Sequence, residues 1–168
     1  MFYALVHYPA IDTDVIHQLR KKYDPQVDLI EPHLTIVFPL PESVGEQKLV
    51  SHLEQALLAW KPFTIRLKGL QRSWDNCLFL LIEEGKLDVI RLHDELYTGV
   101  LAAYYRDDLP FVPHLTLGSF AEDERRCLQA LEEVERLGLD YRSVVKRLDL
   151  VKINRDRTQI TWSKEFKL

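Results

Sequence analysis

The chain has 168 residues, 46% of them hydrophobic and 29% charged, with a formal net charge of −4. That length suits one domain or two small lobes sharing a core, and the balance of residues belongs to a globular chain, not a disordered one. A net acidic chain does not coat nucleic acid by bulk electrostatics, and no apolar run approaches the roughly 20 residues that span a bilayer.

Residues 2–8 read as a strand. Over 12–23, Val15, Ile16, Leu19 and Tyr23 make a helical stripe. A second strand covers 32–38. Ser43 followed by Glu46 predicts a capping box, opening a helix that carries Leu49, Leu53, Leu57 and Trp60 and stops at Pro62. Residues 63–70 alternate Phe63, Ile65, Leu67 with Thr64, Arg66, Lys68, a half-buried strand. After the turn Trp74-Asp75-Asn76 comes a strand over 77–82, then a helix over 86–102 with Val89, Leu92, Leu96 and Val100 on one side. A strand over 113–120 and a helix over 123–137 follow, with Gly138 as its stop. Strands at 144–153 and 159–166, joined by Asn154-Arg155-Asp156-Arg157, close the chain.

The order β-α-β-α-β thus occurs twice, with a final strand added, and no Pro/Gly/Ser-rich linker separates the copies. The expected fold is α+β: a single domain over 1–168, bilobal and pseudo-symmetric, with repeat halves of about 1–73 and 74–168. Antiparallel-rich sheets would line a central cleft. The first nine residues lack a basic leader pattern, so a cytoplasmic protein is expected. Cys77 and Cys127 form no CxxC pair and read as plain buried thiols. Residues 140–168 hold eight Lys/Arg and four Asp/Glu, so that segment is +4 and the remainder −8. It is either a basic surface for a short anionic substrate or a solvated hairpin. Lys152 and Arg155 within it are candidate substrate contacts.

The two halves share a tetrapeptide. Pro32-His33-Leu34-Thr35 precedes Ile36, and Pro113-His114-Leu115-Thr116 precedes Leu117. The histidines lie 114 − 33 = 81 residues apart, about half the chain. Strand side chains alternate faces, so His33 and Thr35 share one face while Leu34 and Ile36 take the other, and the second motif does likewise. A strand histidine beside a threonine commonly serves packing. Identical letters at matched places half a chain apart are harder to explain that way. Two imidazoles in one cleft suit phosphoryl transfer: imidazole titrates near pH ~6.5, so one can accept a proton while the other donates one. The threonine hydroxyls can donate to the non-bridging phosphate oxygens.

This arrangement resembles the 2H (two-histidine) phosphoesterase superfamily, in particular its 2′-5′ RNA ligase-like, RNA 2′,3′-cyclic phosphodiesterase branch. The hallmark is two copies of His-x-Thr/Ser-apolar, complete here as His33-Leu34-Thr35-Ile36 and His114-Leu115-Thr116-Leu117. The resemblance implies a bilobal fold and metal-independent hydrolysis of a 2′,3′-cyclic phosphate, or a related cyclic nucleotide phosphate, to a monoester. It also implies that His114 activates water, that His33 protonates the leaving ribose oxygen, and that Thr35 and Thr116 hold the phosphate. RNA ends or small nucleotides would be the partners, with no cofactor and no obligate protein partner. Some members carry a basic residue soon after the second motif; here Gly118-Ser119-Phe120 stands there. The alternatives are cleavage or ligation of 2′-5′ linkages, and a non-catalytic RNA-end or nucleotide binding module. Intact histidines in both motifs argue against the last.

Other candidates are weaker. His7 reads as packed, and His17, His52 and His93 as surface or boundary residues of helices. No His-x-His or His-x-x-x-His spacing marks a metal site, and neither a GxGxxG nor a Walker A loop occurs. Phe38 and Phe120 follow the motifs and could stack on a base, although core packing is the favoured reading.

Overall fold

The computed structural model describes all residues from Met1 to Leu168. In chain order the elements are β1 (Phe2–His7), α1 (Asp14–Tyr23), β2 (Leu34–Pro41), α2 (Glu46–Leu57), β3 (Phe63–Arg72), β4 (Cys77–Glu84), α3 (Lys86–Leu96), β5 (His114–Ser119), α4 (Glu124–Glu135), β6 (Asp140–Val145), β7 (Arg147–Ile153) and β8 (Ile160–Lys167). Short 3-10 turns occupy Glu42–Val44 and Gly99–Tyr104. No helix is long and apolar enough to cross a membrane. The α+β architecture with antiparallel strands is as expected.

The strands form one antiparallel sheet in the order β6-β3-β4-β5-β2-β1-β7-β8. Its middle is its weakest seam, because β2 and β5 meet through a single residue pair, Leu34 with Leu115. The sheet therefore behaves as two four-stranded lobes. The first holds β2, β1, β7 and β8; the second holds β5, β4, β3 and β6. Each lobe draws strands from both halves of the sequence.

One strand reading changes here. Residues 144–153 are not one strand. β6 ends at Val145 beside β3, and β7 starts at Arg147 beside β1. Those strands stand six places apart in the sheet order, yet Lys146 alone joins them, so the sheet must curl until its ends approach. A hydrogen bond from the Ala10 N–H to Ser143 Oγ at 3.0 Å ties the start of the α1 connection to β6.

Helices cross between lobes. α1 follows β1 but packs on β5, and α3 follows β4 but packs on β2. The first crossing needs Gly118: a Cβ there would sit 2.7 Å from Tyr23 Cβ and 3.0 Å from the Phe120 ring. The second crossing serves the free edge of β2. Beyond Leu34 that strand has no β5 partner, and its orphan groups find side chains of the α3 region instead. His93 Nδ1 donates to the Ile36 carbonyl at 2.7 Å, and the Phe38 N–H donates to Tyr97 Oη at 3.0 Å. His93 is 3% exposed, a correction to the reading of it as a boundary residue. Its helical position next to Val89, Leu92 and Leu96 fills the core stripe.

Two helix ends also differ. The capping box at Ser43 and Glu46 does not form. Gly45, at φ 84°, takes the N-cap position of α2, and the Glu46 carboxylate accepts from Tyr3 Oη at 2.9 Å. The helix expected over 86–102 ends at Leu96 and re-forms as a 3-10 turn beyond Gly99, at φ 52°. Asp123 does cap α4, accepting from the Arg126 N–H at 2.9 Å.

Tyr97→Phe strands the Phe38 N–H, and His93→Leu strands the Ile36 carbonyl. Each is expected to lower stability by ~1–3 kcal/mol, read as a lower urea midpoint at unchanged slope. Acid should destabilise the fold as well. Burial holds the proton affinities of His7 and His93 below the ordinary imidazole value. The unfolded chain takes up protons from about pH 6.5 downward while the native state resists them. Stability is therefore complete above that pH and is lost as pH falls below it. The urea midpoint should drop between about pH 7.5 and about pH 5, and the slope of that loss should flatten in His7→Leu.

Candidate active site

The Leu34–Leu115 pair sets the register of the seam. Both leucines point into the helix-covered core, at 1% and 0% exposure. The flanking residues point the opposite way. One step along the antiparallel register, His33 falls opposite Thr116 and Thr35 opposite His114. All four are half-buried. Directly opposed side chains start roughly 4.5–5.5 Å apart and diagonal ones about 7–8 Å, so the four residues make a square with the two histidines on one diagonal.

Both rings are held the same way. His33 Nδ1 lies 2.8 Å from the Glu31 carbonyl, and His114 Nδ1 lies 2.6 Å from the Val112 carbonyl. A carbonyl only accepts, so Nδ1 carries the proton in each ring. Nε2 is thereby left as the ring atom that gains or gives a proton. Each histidine reaches back two residues to its own leading segment, so the tetrapeptide carries its own clamp.

The surroundings of the rings differ. Phe79 of β4 stacks on His114, with centroids 3.5 Å apart and planes 17° apart. Tyr8 approaches His33 edge-on at 6.3 Å. Burial lowers the proton affinity of both imidazoles, that of His33 to about 4. The bonds to Glu31 and Val112 oppose this. Positive charge on Arg20 and on His114 lowers His33 further, while Asp75 raises His114. Burial, reinforced by Asp149 and Glu31, pushes the Tyr8 phenol to about 12, so it stays a neutral donor.

A separate apolar cluster, Ala4, Val6, Ile30, Val151 and Ile153, lies on the face of the first lobe opposite the helix-covered core. Ile30 belongs to the segment that leads into His33, which ties the motif to that cluster. His7, on the opposite face, is 2% exposed and hydrogen-bonds the Arg147 carbonyl at 3.0 Å, a packed residue as expected.

The secondary candidates do not join the square. Phe120 is 6% exposed and packs on Tyr23. Phe38 packs against His93 and Phe111. Lys152 is the cross-strand partner of buried Tyr3, so it points to the helix-covered face, where it pairs with Glu42 at 3.1 Å and Glu46 at 3.6 Å. Arg155 is exposed in the β7–β8 turn. Three further cations of the basic segment are paired, Arg142 with Glu84, Arg147 with Glu165 and Lys164 with Glu54, while Lys146, Arg155, Arg157 and Lys167 form no ion pair. Cys127 is buried and Cys77 half-buried, both as free thiols. No group of three or more His, Cys, Asp or Glu side chains could hold a metal ion.

Sequence reasoning missed Phe79 and Tyr8, since their contacts depend on cross-strand register. It also missed Arg20, for which a signal existed. With Ile16, Leu19 and Tyr23, Arg20 occupies the buried stripe of α1, an unusual place for a charge.

Known proteins match along nearly the whole chain. A Bacillus licheniformis protein carrying a provisional phosphoesterase name is 28% identical over 155 residues, covering 90% of this chain and 89% of its own. A similarly named Geobacillus kaustophilus protein is 32% identical over 124 residues, 70% of this chain and 69% of its own. Among solved structures, E. coli LigT complexed with NADP+ superposes with a TM-score of 0.60 at 22% identity, covering 99% of this chain and 96% of that one. LigT complexed with 3′-AMP gives 0.56 at 18%, covering 99% and 93%. Identities this low establish a shared fold. The family model of the 2′-5′ RNA ligase superfamily matches residues 8–157, both motifs included, and the chain belongs to that superfamily.

Proposed function

We propose that this protein is a phosphodiesterase that opens 2′,3′-cyclic phosphates, or related cyclic nucleotide phosphates, to monoesters by two-histidine acid–base catalysis without a metal. The observation that carries the reading is the square of His33, Thr35, His114 and Thr116 with both Nδ1 atoms committed to backbone carbonyls. Two proton-exchanging Nε2 atoms on a diagonal, with hydroxyls on the other, match what in-line displacement at phosphorus requires.

In the proposed step, the neutral imidazole takes a proton from water as its oxygen bonds to phosphorus. The bond from phosphorus to one ribose oxygen breaks, and the protonated imidazole gives that oxygen its proton. The products are a phosphomonoester and a free hydroxyl. Negative charge on the non-bridging oxygens is met by the Thr35 and Thr116 hydroxyls. Superfamily membership and phosphoesterase-named relatives support the same class of reaction. The bound nucleotides of LigT support a nucleotide or RNA end as the substrate class.

The purified protein is expected to convert 2′,3′-cyclic AMP to a monophosphate in excess chelator, with the product identified by mass. His33→Ala and His114→Ala should each lower kcat/KM by at least ~10²-fold, the scale of a lost general acid or base. An active His114→Ala enzyme, or activity lost in chelator and restored by a divalent ion, would remove the reading.

Thr35→Val and Thr116→Val keep the branched shape and delete the donor. Losses of roughly 10- to 100-fold are expected in steady-state assays, matching one charge-assisted hydrogen bond of ~1.5–3 kcal/mol. Unchanged kinetics in both variants would place the phosphate elsewhere.

A further inference from the structure

Four cross-strand neighbours flank the square. On β1, Val6 stands opposite Thr35 and His7 opposite Leu34, so Tyr8, one step further, falls opposite His33. On β4, Leu81 stands opposite His114 and Phe79 opposite Thr116. Val6, Leu81 and Phe79 end in carbon, and Tyr8 alone brings a hydroxyl. Its ring meets that of His33 edge-on at 6.3 Å, with planes 61° apart, and packs on the apolar cluster that contains Val6 and Ile30. This packing accounts for the ring but not for the oxygen. Tyr8 is half-buried, and its hydroxyl makes no hydrogen bond within the protein. The hydroxyls of Tyr3, Tyr23 and Tyr97 are all engaged, by Glu46, by Glu133 and by the Phe38 N–H.

We propose that Tyr8 is a substrate-binding residue whose hydroxyl hydrogen-bonds a ribose hydroxyl, so that the nucleoside of the substrate lies past His33 over the first lobe. This rests on the reading of the square as a cyclic-phosphate site. Tyr8 lies outside the square, one strand spacing of about 4.8 Å beyond His33. It therefore meets what the phosphate carries and not the phosphate itself. A phosphate held among the four residues can send its nucleoside along that row toward Tyr8, or the other way toward Phe79. On the second side the row offers only carbon, and the Phe79 ring is already stacked on His114 at 3.5 Å. On the first side it offers a free donor. A phenol outreaches the imidazole beside it, which brings its oxygen to the level of a sugar carried by the phosphate. Opening a 2′,3′-cyclic phosphate frees one ribose hydroxyl next to the carbon that keeps the phosphate, and that hydroxyl is the partner assigned to Tyr8. Burial, with Asp149 and Glu31, keeps the phenol protonated, and neither carboxylate accepts from it.

The test is a cycle that deletes the two hydroxyls singly and together. Calorimetry gives the affinities of wild type and Tyr8→Phe for 3′-AMP and its 2′-deoxy counterpart. The pair of 2′-AMP and its 3′-deoxy counterpart covers the other product. Tyr8→Phe keeps the ring and removes the oxygen, so the urea midpoint should not move. Wild type should bind the ribonucleotide of one pair about 3- to 10-fold more tightly than its deoxy counterpart, the scale of one neutral hydrogen bond. In Tyr8→Phe that advantage should vanish, with the deoxy ligand bound as in wild type and inorganic phosphate competing equally well against both proteins. A wild type with no ribose advantage in either pair overturns the assignment. So does an advantage that survives in Tyr8→Phe, or a variant that weakens ribose and deoxy ligands alike, as a packing defect would. Hydrolysis of 2′,3′-cyclic AMP by wild type is followed separately. A protein that opens no cyclic phosphate yet shows the Tyr8-dependent advantage loses the proposed function and keeps this contact.

Discussion

One cross-strand pair organises this molecule. Leu34 against Leu115 is the whole of the β2–β5 ladder, and three consequences follow from it. It sets the register that brings His33, Thr35, His114 and Thr116 to one face. Its brevity leaves the two lobes joined in the sheet at one residue pair. It also leaves β2 with unpaired backbone groups, which His93 and Tyr97 satisfy from the crossing helix. A longer ladder would satisfy the backbone and occlude the site. A shorter one would leave the lobes joined only by helices and the curl at Lys146. Buried backbone groups must find partners somewhere, and here the partners are side chains from the opposite half of the chain.

That exchange explains why the lobes cannot be independent. α1 rests on β5 and α3 on β2, so each lobe is covered by a helix that follows a strand of the other. The close approach at Gly118 and the Tyr23–Glu133 hydrogen bond at 2.6 Å join α1 to the second lobe, while the Trp60–Glu95 bond at 2.9 Å and the His52–Leu96 bond at 2.9 Å join α2 to α3 in the first. The proposed catalytic geometry spans both lobes and would need such coupling, since a shift of about 1 Å between reacting groups can cost two orders of magnitude in rate.

Much of this was legible in the sequence. The repeated tetrapeptide carried it, because side-chain alternation alone puts each histidine and its threonine on one face. The element order and antiparallel α+β class followed from hydrophobic periodicity. What was not legible depends on pairing. Periodicity reads 144–153 as one strand, since nothing local marks the change of partner at Lys146. Ser43 and Glu46 have the letters of a capping box, yet Tyr3, forty-three residues away, takes the glutamate. Lys152 sits in a basic segment, and only the register with Tyr3 shows that it points away from the cleft. The charge excess over 140–168 is similarly offset in part by acids outside that window, Glu84 of β4, Glu54 and Glu46 of α2 and Glu42 before it.

Duplicated motifs pose a chemical difficulty, because acid–base catalysis needs two different protonation states from two identical side chains. The motif itself cannot supply the difference: both tetrapeptides clamp Nδ1 alike and free the same Nε2. The difference must come from groups placed by the unlike parts of the two lobes. Residues in the direct cleft wall are constrained by the substrate, whereas the helix residues behind each leading segment are constrained only by packing. Arg20 and His93 occupy such positions, one in a buried ion pair with Asp24 and the other stacked on Phe111. A charge there costs desolvation and leaves Nη1 without a partner, which a purely structural anchor such as the Phe111–His93 stack avoids.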